Sequence, residues 1–436
     1  MIGIRDLIVL TVILGSIPVC FLRPFYGVLL WTVFSFVNPQ QLSFGIARVF
    51  PVALWIAIPT IAGALVFTRT WQSLKSREFF LLLALWLWFT ITSLATAFTP
   101  AFADHVTDTW FEWKFVSKIL VMTVVAMGVI NTWSRLRWLM LAIALSFGFF
   151  VVKAIPWMAS TGGQYRLYGP GSTMIGDNND FGLALNMTLP LFFYLARTEP
   201  DRRVRYLMRF LFLVTIPAIF LTYSRGALVG LLVVVFLMLM RMRRRNALIP
   251  ILALAAVLAV FFMPEKWQER MDFSRDGALL DTSAKSRINS WTYAYRLALD
   301  YPVMGGGFQA FTPALFNRYA PNPRDVHGPH SVYFGVLAEH GFVGLFLYLS
   351  LVVSLLVTLQ RIRRSAGGVG EEQATSYATM LQLSLAGFLA SGAFLGRAYF
   401  DYYFTIVACA IVLKRLWRTE VAEMEYEEQT EEMQEA

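Results

Sequence analysis

Cysteine is nearly absent from this 436-residue sequence: only Cys20 and Cys409 occur, each inside an apolar run at opposite ends of the chain. That excludes a disulfide framework and a cysteine-based metal site. Charge is also scarce, at 15% of residues against about 25% for a soluble domain. Soluble enzyme classes are excluded with it, because 57% of the chain is hydrophobic and mean hydropathy is +0.57. No internal repeat and no pair of inverted halves is visible. The N-terminus has one basic residue, Arg5, before an apolar run, and no small-residue cleavage site. It therefore reads as an uncleaved first helix.

What is present is a series of apolar segments. Spanning a bilayer takes about 20 such residues. Candidates fall near 4–20, 25–38, 51–68, 78–98, 115–131, 136–157, 180–196, 206–223, 226–241, 247–263, 330–360 and 374–415. The last is long enough for two helices broken at Gly392 to Arg397. The expected fold is thus an all-α integral membrane protein of about twelve transmembrane helices with one large external loop containing short helices. Four units follow: an N-terminal bundle over 1–263, a loop over 264–329, C-terminal membrane helices over 330–418, and an acidic, disordered tail over 419–436.

Net charge is +9, but Glu420 to Ala436 hold eight acids; 37 basic and 20 acidic residues remain outside that tail. Basic clusters stand at Arg69/Lys75/Arg77, Arg135/Arg137, Arg197/Arg202/Arg203/Arg205, Arg241/Arg243/Arg244/Arg245 and Arg361/Arg363/Arg364, in every second connection. In a membrane protein such clusters mark the cytoplasmic face and anionic lipid, not nucleic acid. The connections between them belong to the opposite face.

Four constellations on that opposite face carry the available chemistry. Three of the four histidines, His327, His330 and His340, stand together where the long loop meets a membrane helix. His330 has the imidazole for a general base near neutral pH; the alternative is an interfacial histidine capping a helix. Arg225, in Ser224-Arg225-Gly226 between two apolar runs, either pairs with an anion or snorkels to headgroups. Arg287, in Arg287-Ile288-Asn289-Ser290-Trp291, begins an amphipathic helix and alone would be an ordinary solvated charge. Asp177, Asn178, Asn179 and Asp180 open another helix as N-cap types. No carboxylate cluster completes a metal site around the histidines, so neither a metal nor a cofactor is expected. Arginine's planar fork, always charged, suits phosphate oxygens. An anionic lipid phosphate is the expected ligand.

The pattern His-Ser-x-Tyr-Phe-x-x-Leu-x-Glu-x-Gly-x-x-Gly from His330 to Gly344, with Ser-Arg-Gly at 224–226, Arg-x-x-x-Trp at 287–291 and Gly-x-Gly-Phe at 305–308, resembles the bacterial O-antigen ligase and polymerase family over roughly residues 165–400. Asn-Pro-Gln at 38–40 and Gly-Asp-Asn-Asn at 176–179 are similar to the branch of exosortase-associated O-glycosylation ligases. Some members carry Asn where this chain has Ser331, a departure that bears on that side chain and not on His330.

The resemblance implies an inverting, metal-independent membrane glycosyltransferase of the GT-C type, multi-pass in the bacterial inner membrane with a periplasmic active site. It would move a glycan from undecaprenyl pyrophosphate to a sugar hydroxyl of lipid A-core. His330 would be the base, and Arg225 and Arg287 would hold the diphosphate. Supporting roles fall to Arg166, Asn178, Asn179, His327, Glu339 and Arg397. An O-antigen polymerase or a protein O-glycosylation ligase would use the same donor, and a transporter for the same lipid is the reading from another class.

Overall fold

The computed structural model describes residues 3–69, 71–171, 173–242 and 282–435. The expected segment at 247–263, the basic residues Arg243 to Arg245 and the start of the long loop lie outside them. Every regular element described is helical, in fourteen α-helices with short 3₁₀ turns between some of them. The first three are α1 (Ile4–Leu22), α2 (Pro24–Val37) and α3 (Val52–Phe67). Next come α4 (Arg77–Phe98), α5 (Val106–Val129), α6 (Trp133–Thr161), α7 (Asn178–Thr198), α8 (Arg202–Leu221) and α9 (Arg225–Met240). After the gap follow α10 (Thr282–Asp300), α11 (Pro313–Tyr319), α12 (Val332–Gly368), α13 (Glu372–Gly392) and α14 (Asp401–Glu435).

Five of these, α1, α4, α6, α8 and α12, are long and apolar enough to cross a membrane, and α2, α3 and α9 are shorter apolar helices. The chain is therefore a helical membrane protein. Sequence chemistry sets the ends. Ser76, Thr132, Asp177, Asp201 and Ser224 each cap a helix by accepting a backbone N–H from the first turn. The long apolar segment at 374–415 divides into α13 and α14 across 393–400. The acidic end, expected to be disordered, is instead the continuation of α14, helical to Glu435. The stretch after Arg418, about five turns rich in Glu and including Met and Ala, consists mostly of good helix formers and continues a helix that starts inside the bundle.

Alternating helices give the bundle two ends. At one lie the basic clusters, tied by ion pairs: Arg137 to Glu199 at 2.7 Å and Lys414 to Glu78 at 2.6 Å. Glu78 is fully buried and also accepts from Ser354 and Thr358. Removing one member of such a pair strands a buried charge, at a cost of about 3–5 kcal/mol. The other end carries the connections that hold His330, Arg225 and the start of α7. The main core runs through both halves of the chain, with Phe147, Phe192, Tyr348, Tyr377, Tyr402 and Tyr403 fully buried.

Candidate active site

The site begins with α12. Gly341 has φ 67° and breaks the helix, and a Cβ there would meet the Val303 carbonyl at 2.4 Å. Gly305, at φ 65°, would strike the Gly341 nitrogen at 2.6 Å. Only residues without a Cβ let the two backbones touch, and the contact is sealed by Gly306 N–H to the Ala338 carbonyl, Gly307 N–H to that of Glu339, and Phe342 N–H to that of Pro302, each at 2.8 Å. His105 donates from Nε2 to the Gly306 carbonyl (2.9 Å), and Thr109 donates to that of Phe308 (2.7 Å). The Gly-x-Gly-Phe and Gly-x-x-Gly motifs are one clamp between the external loop and α12.

Glu339 belongs to this clamp. Its carboxylate accepts from the Gln309 N–H at 2.9 Å and from the Tyr399 hydroxyl at 2.5 Å. It does not orient His330. His340 is buried against Phe89, Phe308 and Tyr399, with Nδ1 2.7 Å from the Thr92 hydroxyl. That is a core histidine.

A second set of bonds fixes the segment carrying His330. Along α10, Asn289 donates to the carbonyls of Asn322 and Asp325, Ser290 to that of His327 and Trp291 Nε1 to that of Pro329 at 2.8 Å. Trp291 also stacks on Phe334, with centroids 5.2 Å apart. His330, two residues before α12, therefore sits at the edge of the bundle, half-buried, with φ 42°. A non-glycine residue in the left-handed region costs about 1–3 kcal/mol and persists where its surroundings fix it, often at functional sites.

The segment 393–400 completes the enclosure. A Cβ on Gly396 would lie 3.3 Å from the His330 backbone nitrogen, and one on Gly226 would lie 3.0 Å from Phe394 Cβ. Gly396 and Phe394 thus bridge His330 to the Arg225–Gly226 start of α9. Arg397 pairs with Asp180 at 2.6 Å, and Asn178 donates to the Thr222 carbonyl at 2.7 Å, beside the turn that leads to Arg225. Asn179 turns back to Asp177, its N–H and Nδ2 both 2.8 Å from Asp177 Oδ1. Arg166 is exposed beside Tyr223, whose hydroxyl donates to the Gly163 carbonyl. His327, about half exposed, has its Nε2 3.3 Å from the Asp325 carboxylate.

Electrostatics follow from this crowding. Burial lowers the His330 pKa below its ordinary 6.5; the charges of Arg287, His327 and Arg397 lower it further, and Asp177 pulls the other way. The imidazole is thus neutral, and able to accept a proton, at neutral pH. Of the expected site residues, the fold brings Arg287, Arg397 and His327 within electrostatic reach of His330, packs the start of α9, with Arg225, on Phe394 of the segment that meets His330, ties Asn178 to Thr222 just before that start, and leaves Arg166 exposed beside Tyr223. What the sequence did not reveal is the 393–400 segment as a wall and the Asp180–Arg397 pair. The available signal was a Gly-Arg dipeptide interrupting an apolar run. Among the described residues no group of three or more His, Cys, Asp or Glu is placed to share a metal ion.

Residues 210–349 match the family described as O-antigen ligase. This part of the chain resembles the O-antigen ligase family. The match contains Arg225, Arg287, His330 and the Gly305–Gly341 clamp. Residues 4–199 match a family of unknown function (DUF5935). No curated protein matches the chain. That match, with the apolar helices, supports a glycosyl-transfer enzyme in a multi-pass membrane protein.

Proposed function

We propose that the protein is an O-antigen ligase: an inverting, metal-independent glycosyltransferase that moves a glycan from undecaprenyl pyrophosphate to a sugar hydroxyl of lipid A-core, at the periplasmic face of the inner membrane. A twelve-helix bundle of the GT-C type, with the basic clusters facing the cytoplasm, is the architecture this reading entails. The observation that carries it is the placement of a base-competent His330, on a strained and many-times-anchored loop, beside Arg287 and Arg397 and next to the start of α9.

The chemistry runs as a single displacement. The acceptor hydroxyl gives its proton to the His330 imidazole as its oxygen bonds to the anomeric carbon. The bond from that carbon to the diphosphate oxygen breaks, and the departing negative charge is met by Arg225 and Arg287. Arg397, held on Asp180, keeps a further cation near the reaction. Glu339, Asn178 and Asn179 support the frame rather than touching substrate.

An O-antigen polymerase or a protein O-glycosylation ligase would use the same donor and the same base, and differ in acceptor. A transporter is disfavoured because its ionisable groups would lie near the bilayer midplane, whereas these gather at one end of the bundle. The discriminating experiment supplies purified protein with undecaprenyl-pyrophosphate glycan and lipid A-core. Glycan-bearing lipid A-core is expected, with turnover unchanged by EDTA. Lengthened glycan on the donor lipid, or a glycosylated protein, would reassign the acceptor, and loss on chelation restored by magnesium would contradict metal independence.

A further inference from the structure

At the bundle end opposite His330, a cavity of about 880 Å³ opens where α1 passes into α2, α3 ends, and α5 passes into α6. Arg23, Arg69 and Arg135 line it with Asn131 and Ser134, and among the described residues no acidic one does. The opposition of the ends follows from α4: it starts after Arg69, and its far end, at Thr96, reaches the Gly306 carbonyl of the clamp. At 1.5 Å per residue its 22 residues span about 33 Å.

Arginines at such a place could simply cap helix carbonyls, and Arg135 does so. Its Nη1 donates to the Val129 carbonyl at 2.9 Å and to Asn131 at 2.8 Å, and its guanidinium lies over the Phe25 ring. Arg23 and Arg69 are exposed and make no side-chain hydrogen bond or ion pair with another described residue. Three cations around one concavity repel one another until an anion enters. The mouth is apolar: Leu22, Phe67 and Trp138 line it and are each 48–57% exposed. Aromatic and aliphatic side chains bordering a basic hollow match a headgroup with its acyl chains attached, not a free ion.

We propose that this cavity is a binding site for the phosphate headgroup of an anionic membrane lipid, separate from the site at His330. Arg23 and Arg69 supply the charge, Arg135 is prefixed by its own bonds, and Trp138 and Phe67 border the acyl chains.

The test uses the full chain, delipidated in a nonionic detergent and titrated by native mass spectrometry with phosphatidylglycerol, with phosphatidylcholine, and with inorganic phosphate as competitor. Phosphatidylglycerol should bind saturably, at least about tenfold tighter than phosphatidylcholine, and inorganic phosphate should not displace it. R23Q/R69Q should weaken it about thirtyfold, from roughly fivefold for each basic residue at an anionic surface. R202Q/R203Q removes the same charge from the exposed start of α8 and should change affinity by less than about twofold. Equal loss in the two double variants would mean diffuse surface charge and overturn the proposal. So would equal affinity for the two lipids, or displacement by phosphate, which would make the site one for the free ion.

Discussion

At the residue scale, the proposed chemistry rests on His330 being neutral when the acceptor arrives. Its pKa is depressed by burial and by neighbouring cations, so the acid limb of the pH–rate profile should lie below the ordinary histidine value of about 6.5. Replacing Arg287 with Gln removes a charge that depresses the pKa. The limb should then move to higher pH, over and above any loss of donor binding. Asp177→Asn removes the charge that pulls the other way, and the limb should move lower. Profiles of kcat/KM for the two variants and the parent enzyme check both signs; limbs that stay in place would separate the rate from His330 protonation. Histidine chemistry is legible in the sequence because three of four histidines cluster at one membrane edge. Which one is useful is only partly legible. The sequence leaves His327 close by, and only the fold shows it turned toward Asp325.

At the element scale, glycines decide how α12 meets the external loop. Gly341→Ala would put a Cβ 2.4 Å from a backbone carbonyl at a positive φ, and should destabilise the protein by about 2 kcal/mol or more. Gly368→Ala, near the end of the same helix with nothing within 4 Å of its Cβ, should be neutral or slightly stabilising. Thermal unfolding in detergent compares the two; equal melting temperatures would deny the clamp. Trp291→Phe keeps the stack on Phe334 but loses the hydrogen bond to Pro329. Since such a bond contributes about 1 kcal/mol, kcat should fall up to tenfold or so while KM stays near its parent value. The helices themselves are legible from apolar runs, because a bilayer imposes a length on them. The clamp is not: the sequence displays both glycine motifs but gives no sign that they face each other. The helical continuation of α14 is hidden because its density of charge suggests disorder, although the same residues are strong helix formers.

At the scale of the whole molecule, the fold gathers groups from α7, α9, α10, the 327–331 loop and the 393–400 segment at one end and leaves basic clusters at the other. Alternating basic connections make that polarity readable in the sequence alone. The pairing of distant segments is not readable there, since one sequence holds no record of which loops touch. If Arg225 and Arg287 act on one diphosphate, Ala at either should cut transfer by about one to two powers of ten, from roughly 1.5–3 kcal/mol per charged hydrogen bond. The double variant should depart from additivity. Lys should restore only part at either site, because it lacks the bidentate fork. Full rescue by Lys with additive effects would leave both arginines as surface charges.

The role of His330 as the base is tested most directly by single-turnover transfer of glycan from undecaprenyl pyrophosphate to lipid A-core by the parent enzyme, His330→Ala and His327→Ala, each shown to be folded. His330→Ala should slow transfer by about 10²- to 10⁴-fold, as loss of a placed general base does, while His327→Ala stays close to the parent rate. Near-parent transfer by His330→Ala, with loss in His327→Ala, would contradict that role.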